Sequence, residues 1–301
     1  MQHTKTVARH SGRSKKRARL ARNREKRYRY LSIVAFCLFA ALLALYLVTV
    51  FLQHYDDSRQ EDLRDLYHGQ TACLPSFLFP NAMAEELPQN IPERFAELWE
   101  INPDLIGWLT AGDAVDEPVV YRDNEYYLDH SFYQSYSASG TVFADIENAA
   151  WNTDRYVILY GHNMRNGSMF GKLNNYRELD YIQEYPLVTF DTISGDVAQN
   201  YVPFAVFDAS MLTSDQNYFH LRRFEEYQTG DESRIQAFLD EISARSLFNI
   251  PVEVTPQDRI LALVTCSYDD PDGRLMLFCR ALRDGETVED IQALMQQASE
   301  K

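Results

Sequence analysis

The sequence predicts a mainly β domain of roughly 200 residues, a barrel or a sandwich, preceded by one membrane-spanning helix. Three observations carry this. Eight short runs rich in Val, Ile, Leu, Tyr and Phe follow one another between Ile106 and Leu282, with turn residues between them. Few helical patterns interrupt them, so a doubly wound α/β fold, with helices between most strands, does not fit. Leu31 to Leu52 is an uncharged apolar run of 22 residues.

The chain opens on a basic arm. Residues 1–30 hold twelve Lys/Arg and one acidic residue, Glu25, for a charge of +11, and the rest of the chain carries −26. Such an arm alone could suggest nucleic acid, but the apolar run behind it makes it a topology signal. Residues 31–52 are long enough to cross a hydrocarbon core as a helix, about 20 residues at ~1.5 Å each. No polar face appears at helical spacing, which argues against a buried core helix. Gln53 to Asp57 offer no small-x-small cleavage site, so an uncleaved anchor is expected rather than a signal peptide. The N-terminus should stay in the cytoplasm and the acidic remainder outside, in a single-pass protein of the cell membrane.

Residues 53–90 read as an extracytoplasmic stalk, mixing charges with Pro75, Pro80 and Pro88. The folded domain is expected over 91–301. PERFAELWEINPD suggests a short helix ending near Asn102-Pro103. Then come IGWLTA, EPVVY, GTVFAD, RYVILYGH, LVTFDT, NYVPFAVFDA, RILALVTC and RLMLFCRAL as strands. ESRIQAFLDEISARS and VEDIQALMQQ read as helices. With 46% hydrophobic residues and 24% charged, disorder is excluded for the bulk of the chain.

The four cysteines, Cys37, Cys73, Cys266 and Cys279, show no CxxC spacing and no zinc-like Cys/His cluster, so neither a metal nor a cofactor is expected. Cys266 ends an apolar strand, in which Ile260, Ala262, Val264 and Cys266 share one face. After the turn-forming SYDDPDG the chain returns with Arg274 opening the next strand, so thiol and guanidinium lie at one end of a hairpin. Arg280, six residues on, is about 20 Å away. A thiol needs a base or a lowered pKa to act near neutral pH. His162, at the end of RYVILYGH beside Gly161, is the histidine best placed to face a cleft. Each residue also has a bland reading: a small core cysteine, a hydrogen-bonded structural histidine, a solvated arginine.

The motifs in combination resolve this. YGHNMRNGSMFGKLNNY resembles the histidine motif of the class B sortases. LALVTC resembles their TLxTC cysteine motif, with Ala262 where the family usually has Thr, and Arg274 fits the arginine of the following strand. NPDLIGWL, EPVVYRDNEYYL and GTVFAD resemble the family's N-terminal half, so the likeness spans roughly 91–285. It implies an eight-stranded sortase-type β-barrel and a cysteine transpeptidase, with Cys266 as nucleophile, His162 as acid/base and Arg274 as oxyanion stabiliser. It implies as partners secreted proteins with a C-terminal, NPxTx-like sorting signal, and a peptidoglycan precursor or other amine as acceptor. Matched residue by residue, Asn124, Leu128, Tyr160, Tyr218 and Val264 fall at substrate-binding positions.

Overall fold

All eight apolar runs close into a barrel in the structure, a computed structural model describing residues 3–69, 91–195, 198–266 and 272–301, with side chains from Arg22 onward except at Glu25, Gln53 and Cys266. The chain divides into two compact units, Met1–Ser58 and Arg59–Lys301.

The first unit is helical. Helix α1 is assigned over His3–Tyr67. It contains a segment long and apolar enough to cross a membrane, none of it buried inside the protein. Leu31, Phe36, Phe39, Leu42 and Leu45 are all exposed.

The second unit begins with the end of α1, inside the stretch the sequence assigned to the stalk. Leu63 is fully buried, and the Tyr67 ring stacks on Trp108 with centroids 4.5 Å apart. Arg64 Nη2 donates to Glu117 Oε1 at 2.6 Å and Arg64 Nε to the Asp116 carbonyl at 2.8 Å. Burial pushes the Glu117 carboxyl up to about 7, against the pull of Arg64. This ending was illegible because its apolar contacts are few and lie among charges. The remainder of the expected stalk, with Cys73, lies outside the described residues.

Helix α2, Glu93–Ile101, buries Phe95 and Leu98 and ends before Pro103, as the sequence predicts. The barrel strands are β1 Leu105–Ala111, β2 Val115–Val120, β3 Val142–Ala144, β4 Tyr156–Tyr160, β5 Val188–Thr192, β6 Gln199–Ser210, β8 Ile260–Cys266 and β9 Gly273–Ala281. Their order around the barrel is β1-β2-β3-β4-β8-β9-β6-β5, closed by antiparallel pairing of β5 with β1. Closure leaves no exposed sheet edge. The pairs β2–β3 and β4–β8 are parallel and the rest antiparallel. Along β8, residues 260–265 are all buried, which explains an almost uninterrupted apolar run where half-exposed strands would alternate.

Helix α5, Glu232–Arg245, is capped by Asp231, and α6, Val288–Met295, by a Thr287/Asp290 capping box. Two short helices, α3 Leu179–Glu184 and α4 Phe224–Thr229, and the two-residue strands β7 Phe248–Asn249 and β10 Ser299–Glu300, escaped the sequence reading. Each is too short for a period to show.

Candidate active site

Three adjacent strands bring the expected chemistry to one end of the barrel. In the antiparallel pair β8–β9, Cys266 stands directly opposite Arg274. Their backbones are therefore cross-strand neighbours. The Cys266 side chain itself lies outside the described atoms. In the parallel pair β4–β8, Tyr160 is level with Val264, and Gly161 N donates to the Val264 carbonyl at 3.2 Å. Two residues further on in sequence come His162, past the end of β4, and Cys266, the last residue of β8.

The strand carrying the histidine is shorter than RYVILYGH suggests. β4 stops at Tyr160, and His162 lies beyond it. The cause is a change of partner. The His162 carbonyl accepts from Phe170 N at 2.9 Å, which draws the backbone into its own loop and away from β8. Gly161 permits this turn. A Cβ there would sit 2.7 Å from the Phe170 ring, a clash with a fully buried aromatic.

His162 is half-exposed, and its Nε2 lies 2.6 Å from the Leu128 carbonyl. A carbonyl oxygen only accepts, so Nε2 is the donor in this contact. Leu128 sits in a short 3-10 turn, Tyr126–Leu128, held by Asp123, whose Oδ1 accepts from the backbone N–H groups of Glu125 (2.8 Å) and Tyr126 (2.7 Å). Arg274 is half-buried, with Nη1 donating to the Gly273 carbonyl at 2.8 Å.

Asn124, Leu128, Tyr160, His162, Val264 and Arg274 all line one cleft of about 300 Å³. Tyr218 is not among its lining residues. It bridges Ser210, and its carbonyl accepts from Arg245 Nη2 at 2.9 Å. Sequence reasoning missed Thr141, Phe143 and Met211 in the lining. Met211 follows the end of β6 and carries no chemical signature that could have marked it.

The other candidates separate clearly. Arg280 pairs with Ile260 at the far end of the hairpin, is buried, and holds Glu286 through two nitrogens, one at 2.6 Å. Cys279 is fully buried on the opposite face, and burial pushes its thiol up, far from a reactive thiolate. Among the described residues no group of three or more His, Cys, Asp or Glu could hold a metal ion.

No protein-family model matches the chain. Curated relatives do. Sortase B of Listeria monocytogenes is 31% identical over 222 residues, covering 72% of this chain and 86% of that protein. Sortase B of Staphylococcus aureus is 29% identical over 199 residues, covering 65% and 77%. Among solved structures, sortase B from Bacillus anthracis in complex with AAEK1 superposes with a TM-score of 0.61 at 24% identity, over 77% of this chain and 99% of that one. A Staphylococcus aureus sortase B–substrate complex gives a TM-score of 0.60 at 22% identity, over 77% and 99%. With 31% identity across 72% of the chain, the chain belongs to the class B sortases, a family of cysteine transpeptidases.

Proposed function

We propose that this chain cleaves a C-terminal, NPxTx-like sorting signal of secreted proteins after its Thr, and joins the freed acyl group to an amine such as a peptidoglycan precursor. The observation that carries this reading is that Arg274, paired across the hairpin with Cys266, lines one cleft of about 300 Å³ together with His162.

The Cys266 thiolate attacks the Thr carbonyl carbon, and the C–O π pair moves onto oxygen beside the Arg274 guanidinium. As the pair returns, the C–N bond breaks and His162 protonates the leaving amine, leaving a thioester on Cys266. The incoming amine attacks that thioester, gives its proton to His162 and expels the thiolate. A permanently charged fork of N–H donors suits the oxyanion at every working pH. Asn124, Leu128, Tyr160 and Val264 serve as walls for the bound signal, with Tyr218 further out.

The test uses the full chain in detergent with a quenched fluorescent NPxTx peptide, followed by mass spectrometry. Scission after Thr is expected, with the N-terminal fragment recovered as a new amide when an amine acceptor is added. Recovery of the free acid alone, whatever the amine, would make the enzyme a hydrolase.

The exposed apolar run 31–52, behind twelve basic residues, supports anchoring by this segment with the barrel outside the cell. Protease added to intact protoplasts should remove the barrel domain, and a protected domain would sink that topology.

A further inference from the structure

Behind Tyr160 lies a charge that the transpeptidation steps leave unused. Asp145, just past the end of β3, has a side chain with 0% exposure. Four donors satisfy its carboxylate. Tyr160 Oη donates to Oδ2 at 2.8 Å, Arg222 Nε and Nη2 donate to the two oxygens at 2.9 Å each, and Glu147 N donates to Oδ1 at 2.9 Å. A buried ion pair is weak evidence for stability, because an apolar replacement of similar shape often does as well. It does fix geometry, and this one sits directly behind a residue of the cleft.

Hydrogen-bond accounting determines what the phenol offers. An ionised carboxylate held by a bidentate guanidinium has no proton to give, so Tyr160 must be the donor. Burial, and then the Asp145 charge, push the phenol up well beyond its ordinary value, so it stays neutral. With its one proton committed to Asp145, the oxygen has only lone pairs left for the cleft. It can accept an N–H there; it cannot act as an acid. Arg222 belongs to the connection that begins with Met211 of the cleft wall. The Leu221 carbonyl in that connection accepts from Tyr156 Oη at 2.8 Å. On the other side Ile146 N donates to Asn124 Oδ1 at 2.9 Å. Asp145 therefore ties Tyr160 of the cleft to Arg222, and its neighbour Ile146 holds Asn124 of the same cleft.

We propose that Asp145 and Arg222 are positioning residues that act through Tyr160, aiming its hydroxyl oxygen as an acceptor at one backbone N–H of the bound sorting signal. This rests on the reading of the cleft as the sorting-signal site. Neither residue touches the peptide. Their effect is on where the phenol points and on which of its hydrogen-bonding roles remains available.

The experiment replaces, one position at a time, each N–H-bearing, non-scissile peptide amide of the cleaved NPxTx peptide by an ester, which deletes a single N–H. Wild type should show one position at which the ester raises KM about fivefold with kcat changed far less, the loss of one neutral hydrogen bond. Tyr160→Phe should raise KM for the all-amide peptide by a similar factor and abolish the further penalty of that ester, a non-additive cycle. Asp145→Asn should behave in the same way. Arg222→Gln, at a side chain 42% exposed, should reproduce the effect in weaker form and serves if Asp145→Asn does not fold. A merely structural role would lower the active fraction and leave KM and the ester penalty untouched. Additive effects in Tyr160→Phe overturn the proposal. So does a full ester penalty surviving in both Asp145→Asn and Arg222→Gln. If the wild-type chain cleaves no NPxTx peptide, the functional reading itself fails and takes this inference with it.

Discussion

Cys266→Ala is expected to abolish acyl-enzyme formation and to reduce turnover by at least about 10⁴-fold, the scale on which a covalent nucleophile is lost from an acyl-transfer site. Alanine keeps the strand and removes only the sulfur, so folding should be little changed. Cys279→Ala provides the contrast. That thiol is 0% exposed, on the other face of β9, and burial holds it protonated. Its loss opens a small cavity and should cost about 1 kcal/mol of stability with turnover per folded molecule retained. Mass spectrometry of the enzyme incubated with peptide and no amine should find the acyl adduct on Cys266 in the wild type and Cys279→Ala, and nowhere in Cys266→Ala. A full-rate Cys266→Ala enzyme would refute the mechanism.

The second large effect divides labour between His162 and Arg274. His162→Ala should be at least as damaging as any change at Arg274, because both proton transfers lose their carrier. It should also flatten the limb of the pH–rate profile set by the imidazole, since without the ring nothing titrates there to deliver the proton. Arg274→Lys keeps the charge and loses the planar fork. Attack builds negative charge only in the transition state, so kcat should fall about 10²–10³-fold, as for the removal of one oxyanion donor, while KM moves far less. Arg280→Lys is the internal control. Arg280 is buried with Glu286 at the Ile260 end of the hairpin, so the change should lower thermal stability and leave kcat per folded molecule near wild type. Wild-type turnover in Arg274→Lys combined with its loss in Arg280→Lys would mean that the oxyanion residue is misassigned.

Much of the molecule was legible before any coordinates. All eight apolar runs became barrel strands, and the hairpin that sets Cys266 against Arg274 needed only a turn-rich connection and the two-residue period of a strand. The helices α2, α5 and α6 were visible because their apolar spacing lasts for two turns or more and their ends carry caps or proline. Signals of this kind are local. They depend on residues close in sequence, and strand alternation, helix period and turn chemistry all act at that range.

What escaped is long-range. The parallel pairing of β4 with β8, which sets Tyr160 level with Val264, joins segments about a hundred residues apart, and no pattern along the chain suggested it. The Leu128 carbonyl that accepts the hydrogen bond from His162 Nε2 is a backbone group, the same in every residue type, so no side chain announces it. Tyr218 looked like a wall of the cleft, yet its segment turns toward α5 and Arg245, and Met211 takes a place there instead. The end of α1 read as stalk because its hold on the barrel depends on partners such as Trp108, Glu117 and Asp191, all more than forty residues away. Asp145 and Arg222, 77 residues apart, each look like ordinary surface charge in the sequence. Only closure of the barrel buries the carboxylate and leaves the guanidinium and the Tyr160 phenol within reach of it. Periodicity along the chain was enough for the strands, and the motifs at their ends suggested the chemistry; which groups meet across the barrel was decided by tertiary packing, because a hydrogen bond or a buried charge is defined by distance in space and not by separation in sequence.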